Sequence, residues 1–136
     1  MRTVWISGRD SPVVRRRAEE LRIARLMQGV RDKSAAVKDV VDAFGVSHAE
    51  IAFIGDDIND IPGMKASGIS LCPRDASQDV LATADWVLHK PGGRGAVREA
   101  IELILECRGE WDLARESYLR KITAAPETPG PLPPTQ

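Results

Sequence analysis

The chain has 136 residues, 43% of them hydrophobic and 29% charged, with a formal net charge of −1 at pH 7. That length suits about one domain, and the composition excludes a collagen-like chain, a disulfide scaffold and a chain disordered throughout. No stretch approaches the roughly 18 apolar residues of a membrane span. The opening Met1–Ser7 has neither an apolar signal core nor a cleavage site, so a cytoplasmic location is expected.

Charge is spread unevenly. Residues 1–33 hold nine Arg or Lys against four acids. The run Arg15-Arg16-Arg17 reads as a solvated helix face, and no aromatic residues are interleaved with it to stack bases. Neither nucleic acid nor a membrane is therefore expected as a partner, and anionic small molecules such as phosphate esters suit the asymmetry better. Cys72 and Cys107 lie far apart without ligand spacing and read as small buried hydrophobes in a reducing compartment.

Two strand-to-helix units open the chain. Thr3–Ile6 is a short β-rich run that stops at Ser7-Gly8-Arg9. Asp10 or Ser11 can then cap a helix whose first residue is Pro12, where a missing N–H costs nothing. That helix ends near Arg22. A weaker strand is expected at Arg25–Gln28, and Asp32-Lys33-Ser34 opens a second helix with Ala36, Val37, Val40, Val41 and Phe44 on one face. Gly45 stands where a left-handed closing residue belongs. Ser47–Glu50 has the form of a capping box.

Ile51-Ala52-Phe53-Ile54 is a continuous apolar run, the pattern of a parallel strand buried on both faces, and it ends at Gly55-Asp56-Asp57-Ile58-Asn59-Asp60. A short helix over about Met64–Ser67, a strand Ile69–Cys72, a helix Ala76–Ala82 and a strand Trp86–Leu88 follow. Gly92–Gly95 reads as a flexible connector into a helix Ala96–Cys107, and residues 110–124 as one more amphipathic helix. Five prolines between 126 and 134 mark a disordered tail with polyproline character. Alternating strands and helices imply a layered α/β fold with right-handed crossovers. Ligands of such sheets bind beyond the carboxyl ends of the strands, where Ser7 and Asp56 both fall.

Three pieces could carry chemistry. Asp56, Asp57 and Asp60 crowd three carboxylates at the end of a strand, and such crowding calls for a cation. Magnesium, a hard ion that takes oxygen ligands beside substrate phosphates, fits that need. The bland alternative is an Asp-rich turn with Asp60 capping the next helix. Ser7 and Gly8 offer a hydroxyl and approachable amides for a phosphate, and Arg9 could grip an anion through two parallel hydrogen bonds; the same three residues are also a common turn. Lys33 sits at a helix start, where the dipole disfavours a cation and an anionic partner would compensate; otherwise it is a surface lysine.

In this order the pieces resemble motifs two, three and four of the haloacid dehalogenase-like phosphatases. The segments Ile6–Ser11, Gln28–Lys33, Ile54–Met64 and Gly92–Glu99 are similar to the 3-deoxy-manno-octulosonate 8-phosphate phosphatase branch, which includes the phosphatase domains of acylneuraminate cytidylyltransferases. The likeness covers about residues 3–106. It implies a three-layer Rossmann-like parallel sheet over residues 1–108; the expected C-terminal helix over 109–125 and disordered Pro-rich tail over 126–136 lie outside it. It also implies Mg2+-dependent hydrolysis of a phosphorylated keto-sugar acid through an aspartyl-phosphate, for lipopolysaccharide or sialic acid synthesis.

By the same resemblance Ser7 binds a phosphoryl oxygen and Lys33 neutralises its charge, as the catalytic pair. Asp56 ligates the metal, Asp57 orients a metal-bound water, and Asp60 positions Lys33 or the metal's surroundings. Gly8 and Arg9 touch substrate. Arg94 and Arg98 are expected either in salt bridges and sugar contacts or as solvated arginines.

The departure from the pattern carries equal weight. The first family motif, Asp-x-Asp-Gly-Val, supplies nucleophile and general acid and precedes the Ser motif, yet Met1–Ile6 contains no acid. The first, central strand of the sheet is then expected to be lacking, and the chain as given to be inactive. Three readings stand: a truncated phosphatase, a non-catalytic relative acting as a binding or regulatory module, or a protein completed by a partner chain. The branch forms tetramers through a flap hairpin that is also missing, so a homo-oligomer is expected but not necessarily that tetramer. A receiver-type domain would need its lysine after the acidic cluster, and Lys33 precedes it.

Overall fold

The structure is a computed structural model and describes residues 1–124. The Pro-rich stretch 126–136 lies outside the described residues. The chain divides into two compact units, Met1–Ala100 and the residues from Ile101 onward.

The first unit begins with β1 (Val4–Ile6), α1 (Pro12–Glu20), β2 (Arg25–Met27) and α2 (Lys33–Phe44). Ser11 caps α1 through its side chain, which accepts from the Val14 amide, and Pro12 holds the first helical position. Asp32 caps α2 by accepting from the amides of Ser34 and Ala35, and Gly45 closes it at φ 62°, as the glycine was expected to. After a 3-10 turn at His48–Glu50 come β3 (Ala52–Ile54), a second 3-10 turn (Ile58–Asp60) and α3 (Ile61–Lys65). The order then runs β4 (Ile69–Cys72), α4 (Gln78–Thr83), β5 (Trp86–Val87) and α5 (Ala96–Cys107). α3 starts three residues earlier than expected, because Pro62 sits in its first turn, where no N–H partner is required. α4 starts two residues later, since Ser77 is still extended and stands at the N-cap position, where its side chain makes no capping hydrogen bond.

All strand pairing is parallel, and the sheet comes in two pieces. One has the order β1-β2, with Val4 opposite Arg25 and Ile6 opposite Met27. The other has the order β3-β4-β5, with Phe53 opposite Ser70 and Leu71 opposite Trp86. Among the described residues no ladder joins β1 to β3, so the α/β sheet is interrupted where its central strand was expected to be missing.

Val37, Phe53, Met64, Cys72, Ala76 and Val80 form the main core cluster, with Ile6, Ile51 and Ile61 packed against it. α2, α3 and α4 supply most of these contacts to one face of β3 and β4. Side chains alternate along a strand, so Leu71 faces away from Cys72, and at 1% exposure it is covered as well. Both faces of β4 are therefore buried, as a layered α/β fold requires. β3 departs from the expectation of burial on both faces: Phe53 is buried, but Ala52 is exposed and Ile54 only half-buried. Among the described residues one side of β3 has no neighbouring strand, and that explains the difference.

The second unit contains the rest of α5 and α6 (Trp111–Thr123), which has no buried residue. Cys107 is exposed, contrary to the expectation for both cysteines, whereas Cys72 is buried. No helix among the described residues is long and apolar enough to cross a membrane.

Candidate active site

The acidic turn is organised around Asp60. Its Oδ1 contacts Lys33 Nζ at 2.5 Å, and its Oδ2 accepts from the amides of Asp56 at 2.9 Å and Asp57 at 3.1 Å. Lys33 and Asp60 are 7% and 6% exposed, so this is a buried ion pair in which every carboxylate oxygen is used. Burial alone would push the Asp60 carboxyl up. The Lys33 ammonium and the two amides outweigh it and hold the group below the usual carboxylate range.

Asp56 is exposed. Partial desolvation, followed by the charges of Asp60 and Asp57, pushes its carboxyl above its ordinary value. Asp57 caps the 3-10 turn, accepting from Ile58 N at 2.7 Å. The Asp56 carbonyl is fixed in turn by Ser77 N at 2.9 Å.

Gly55 makes this packing possible. A Cβ placed on it would stand 2.5 Å from Asp60 Cβ and 3.1 Å from Met64 Sδ. A side chain here would drive Asp60 off Lys33. Gly8, by contrast, would meet only Val30 O at 3.5 Å, an ordinary contact, so no crowding demands its glycine.

Ser7, Gly8 and Arg9 follow β1 as expected. Ser7 is half-buried, and Gly8 and Arg9 are exposed. Ser7 Oγ accepts from Arg9 N at 3.2 Å, which leaves its own proton free to donate. Ser7 O takes Val30 N at 3.0 Å. The structure thus gathers Lys33, Asp56, Asp57 and Asp60 into one hydrogen-bonded group. Among the described residues, no hydrogen bond or ion pair links Ser7, Gly8 or Arg9 to that group.

A cavity of about 230 Å3 opens beside Asp56, lined also by Ile54, Gly55, Pro73, Gly92, Gly93 and the start of α5. The Gly92–Gly93 wall is pinned from two sides rather than being a free connector. Asp75 Oδ1 accepts from Gly92 N at 2.7 Å, and Glu99 takes the amides of His89 and Lys90 at 2.9–3.0 Å. These amides, that of His89 foremost, lower the Glu99 carboxyl. Sequence reasoning passed over Asp75, whose partner lies 17 residues away with no local signal, and quoted Glu99 only as the end of the Gly92–Glu99 segment, without its bonds to His89 and Lys90. Gly55 was legible in principle, standing directly before the acidic run.

The donor set bears on a cation. Among the described residues no three His, Cys, Asp or Glu side chains converge as a ready ligand set, because Asp60 is turned inward to Lys33. Asp56 fits as a ligand: it is exposed, faces the cavity, and carries the charge crowding that a cation relieves. Magnesium keeps several waters and takes few protein carboxylates, so one such group matches its habit.

The sequence profile of the haloacid dehalogenase-like hydrolases matches residues 16–101. The 3-deoxy-D-manno-octulosonate 8-phosphate phosphatase of Haemophilus influenzae is 40% identical over 105 residues, covering 77% of this chain and 58% of the relative. The Salmonella typhi enzyme of that name is 37% identical over 110 residues, covering 81% and 58%. This chain therefore spans less than two thirds of the length of these curated relatives. The structure resembles the cobalt-bound Haemophilus influenzae phosphatase with a TM-score of 0.79 at 38% identity, over 81% of this chain and 64% of that one. It resembles the Moraxella catarrhalis phosphatase, solved with magnesium, phosphate and KDO, with a TM-score of 0.82 at 33% identity, over 87% and 68%.

Proposed function

The chain belongs to the haloacid dehalogenase-like hydrolase family, in its 3-deoxy-D-manno-octulosonate 8-phosphate phosphatase branch, and on that premise we propose that it carries the phosphate- and magnesium-binding half of a phosphomonoester hydrolase site. The ligand class is a phosphorylated keto-sugar acid, and the setting a cytoplasmic one. The observation that carries this reading is the buried Lys33–Asp60 pair, which holds the backbone of Asp56 and Asp57 at the mouth of the cavity.

Each residue then has a definite task. Ser7 donates its free hydroxyl proton to a phosphoryl oxygen. Lys33, kept in place by Asp60, sets a positive charge behind the site; phosphoryl chemistry depends mostly on such positioning and charge compensation. Asp56 would hold magnesium, with Asp57 orienting a water of the ion; when bound, the ion supplies neutralisation of phosphate charge. Gly8 and Arg9 lie at the exposed edge, where a substrate anion can reach them. Asp60 is fully engaged by Lys33 and the two amides, so the residues gathered here serve to hold a phosphate ester and its cation rather than to attack phosphorus.

The test is calorimetric titration of the full chain with magnesium, then with inorganic phosphate. Magnesium binding that weakens at least tenfold in Asp56→Asn supports the reading, as does the absence of p-nitrophenyl phosphate hydrolysis above background. Equal magnesium binding by the two proteins, or turnover that survives Asp56→Asn, overturns it.

A further inference from the structure

Asp56 is held by its backbone on two sides. Its amide donates to Asp60 Oδ2 at 2.9 Å, and its carbonyl accepts from the Ser77 amide at 2.9 Å. The first partner belongs to the acidic turn itself. The second comes from the loop between β4 and α4 and gives that loop a direct hold on the aspartate that faces the cavity.

Neighbouring residues fix the placement of Ser77. Ala76 and Val80, on either side of it, are buried in the main core cluster, and α4 packs against α3 and the turn Ile58–Asp60. Asp75 holds the Gly92 amide of the cavity wall, and Pro73 lines the cavity directly. The segment Pro73–Ser77 therefore connects the cavity wall to the acidic turn.

The Ser77 hydroxyl stands apart from this order. A serine at an N-cap position ordinarily accepts from an amide of the first helical turn, and Ser77 makes no such bond. Its Oγ is nonetheless closed off from solvent. Among the described residues that are not exposed, it is the one buried side-chain nitrogen or oxygen without a hydrogen-bond partner. Buried hydroxyls are nearly always paired, and an orphan in a folded protein points to a functional role or to a water or ion that completes it. Only three bonds separate Oγ from the amide that grips Asp56, so whatever completes it lies beside that aspartate.

We infer that Ser77 is a positioning residue of the cation site: its amide fixes the Asp56 carbonyl, and its buried hydroxyl pairs with the hydration shell of the ion that Asp56 holds. Magnesium retains several waters where protein carboxylates are few, and those waters present protons that a serine oxygen can accept. Groups that order a metal's surroundings without touching it change its affinity by about ten- to a hundredfold. The inference rests on the cation-binding reading of Asp56 and adds to it a residue on a different loop.

The test compares wild type, Ser77→Ala, Ser67→Ala and Asp56→Asn as full chains, by calorimetric titration with magnesium chloride and by urea unfolding with and without the ion. Ser77→Ala removes Oγ alone and keeps the amide on Asp56. Ser67 is the control, since its hydroxyl already has a partner, the Gly63 carbonyl at 2.8 Å. In metal-free buffer Ser77→Ala unfolds at or above the wild-type urea midpoint, because no bond within the protein is lost, whereas Ser67→Ala unfolds below it. Ser77→Ala then binds magnesium about tenfold more weakly and gains less stability from the ion than wild type does, while Ser67→Ala keeps the wild-type affinity. Equal affinity of wild type and Ser77→Ala overturns the inference; loss of binding by Asp56→Asn in the same series leaves the cation site itself standing. A metal-free midpoint of Ser77→Ala as low as that of Ser67→Ala overturns it in favour of a structural hydroxyl. Absence of magnesium binding by wild type overturns both the inference and the reading beneath it.

Discussion

Replacing Asp60 by asparagine keeps the side chain's size and removes its charge. In the structure one oxygen serves the Lys33 ammonium and the other the amides of Asp56 and Asp57. The variant leaves a lysine that is 7% exposed without a counter-charge and turns an amide NH2 group toward existing donors. Loss of one partner of a buried pair costs about 3–5 kcal/mol. A loss of about 3 kcal/mol lowers the melting temperature of a domain of this size by roughly 10 °C. Urea titration of wild type, Asp60→Asn, Lys33→Met and the double variant measures the pair. The double variant is expected to be more stable than Asp60→Asn alone, with a coupling of about 2–3 kcal/mol. An Asp60→Asn cost below about 1 kcal/mol, or additive single variants, would refute the reasoning that this pair anchors the acidic turn.

Gly55→Ala forces a methyl group to within 2.5 Å of Asp60 Cβ, so a destabilisation of about 1–3 kcal/mol is expected in urea titrations, whereas Gly8→Ala should stay near wild type. Glu99 gives a pH signature. Its folded carboxyl titrates below the ordinary 4.5, so its contribution is complete above that value and fades as pH falls through the folded pKa. The stability gap between wild type and Glu99→Gln should therefore be widest at neutral pH and shrink below about pH 4.5. A gap unchanged between pH 6 and pH 3 counts against the pinning of the Gly92–Gly93 wall by Glu99.

What could be read from the residues alone follows the range of the forces involved. Ser11 as one of two candidate caps, the opening of α2 at Asp32-Lys33-Ser34, Gly45 as a left-handed closure and Ser47–Glu50 as a capping box were legible, because each is settled within four residues. The split between β1 and β3 was anticipated from a missing motif, yet its effect on β3 was not: an apolar run announces hydrophobicity but not how many neighbouring strands it has. The expected start of α3 near Met64 was too late, whereas the alternative with Asp60 at the cap of the next helix has the start that the structure shows. Within the site, the residue types of Ser7, Lys33 and the three aspartates stood out, while the division of labour among the carboxylates did not. That Asp60 faces inward and Asp56 outward is decided by Lys33, 27 residues away, and by the missing side chain at Gly55.

The two cysteines carry a practical consequence. Burial pushes the Cys72 thiol up and shields it from reagents, while the Cys107 sulfur is open to solvent, and thiolate availability governs reactivity. A folded molecule thus offers a single fast-reacting sulfhydryl and an opened one offers two. A disulfide-exchange dye that counts titratable sulfurs becomes a gauge of the folded fraction, and a maleimide fluorophore can be placed at one defined position without mutagenesis.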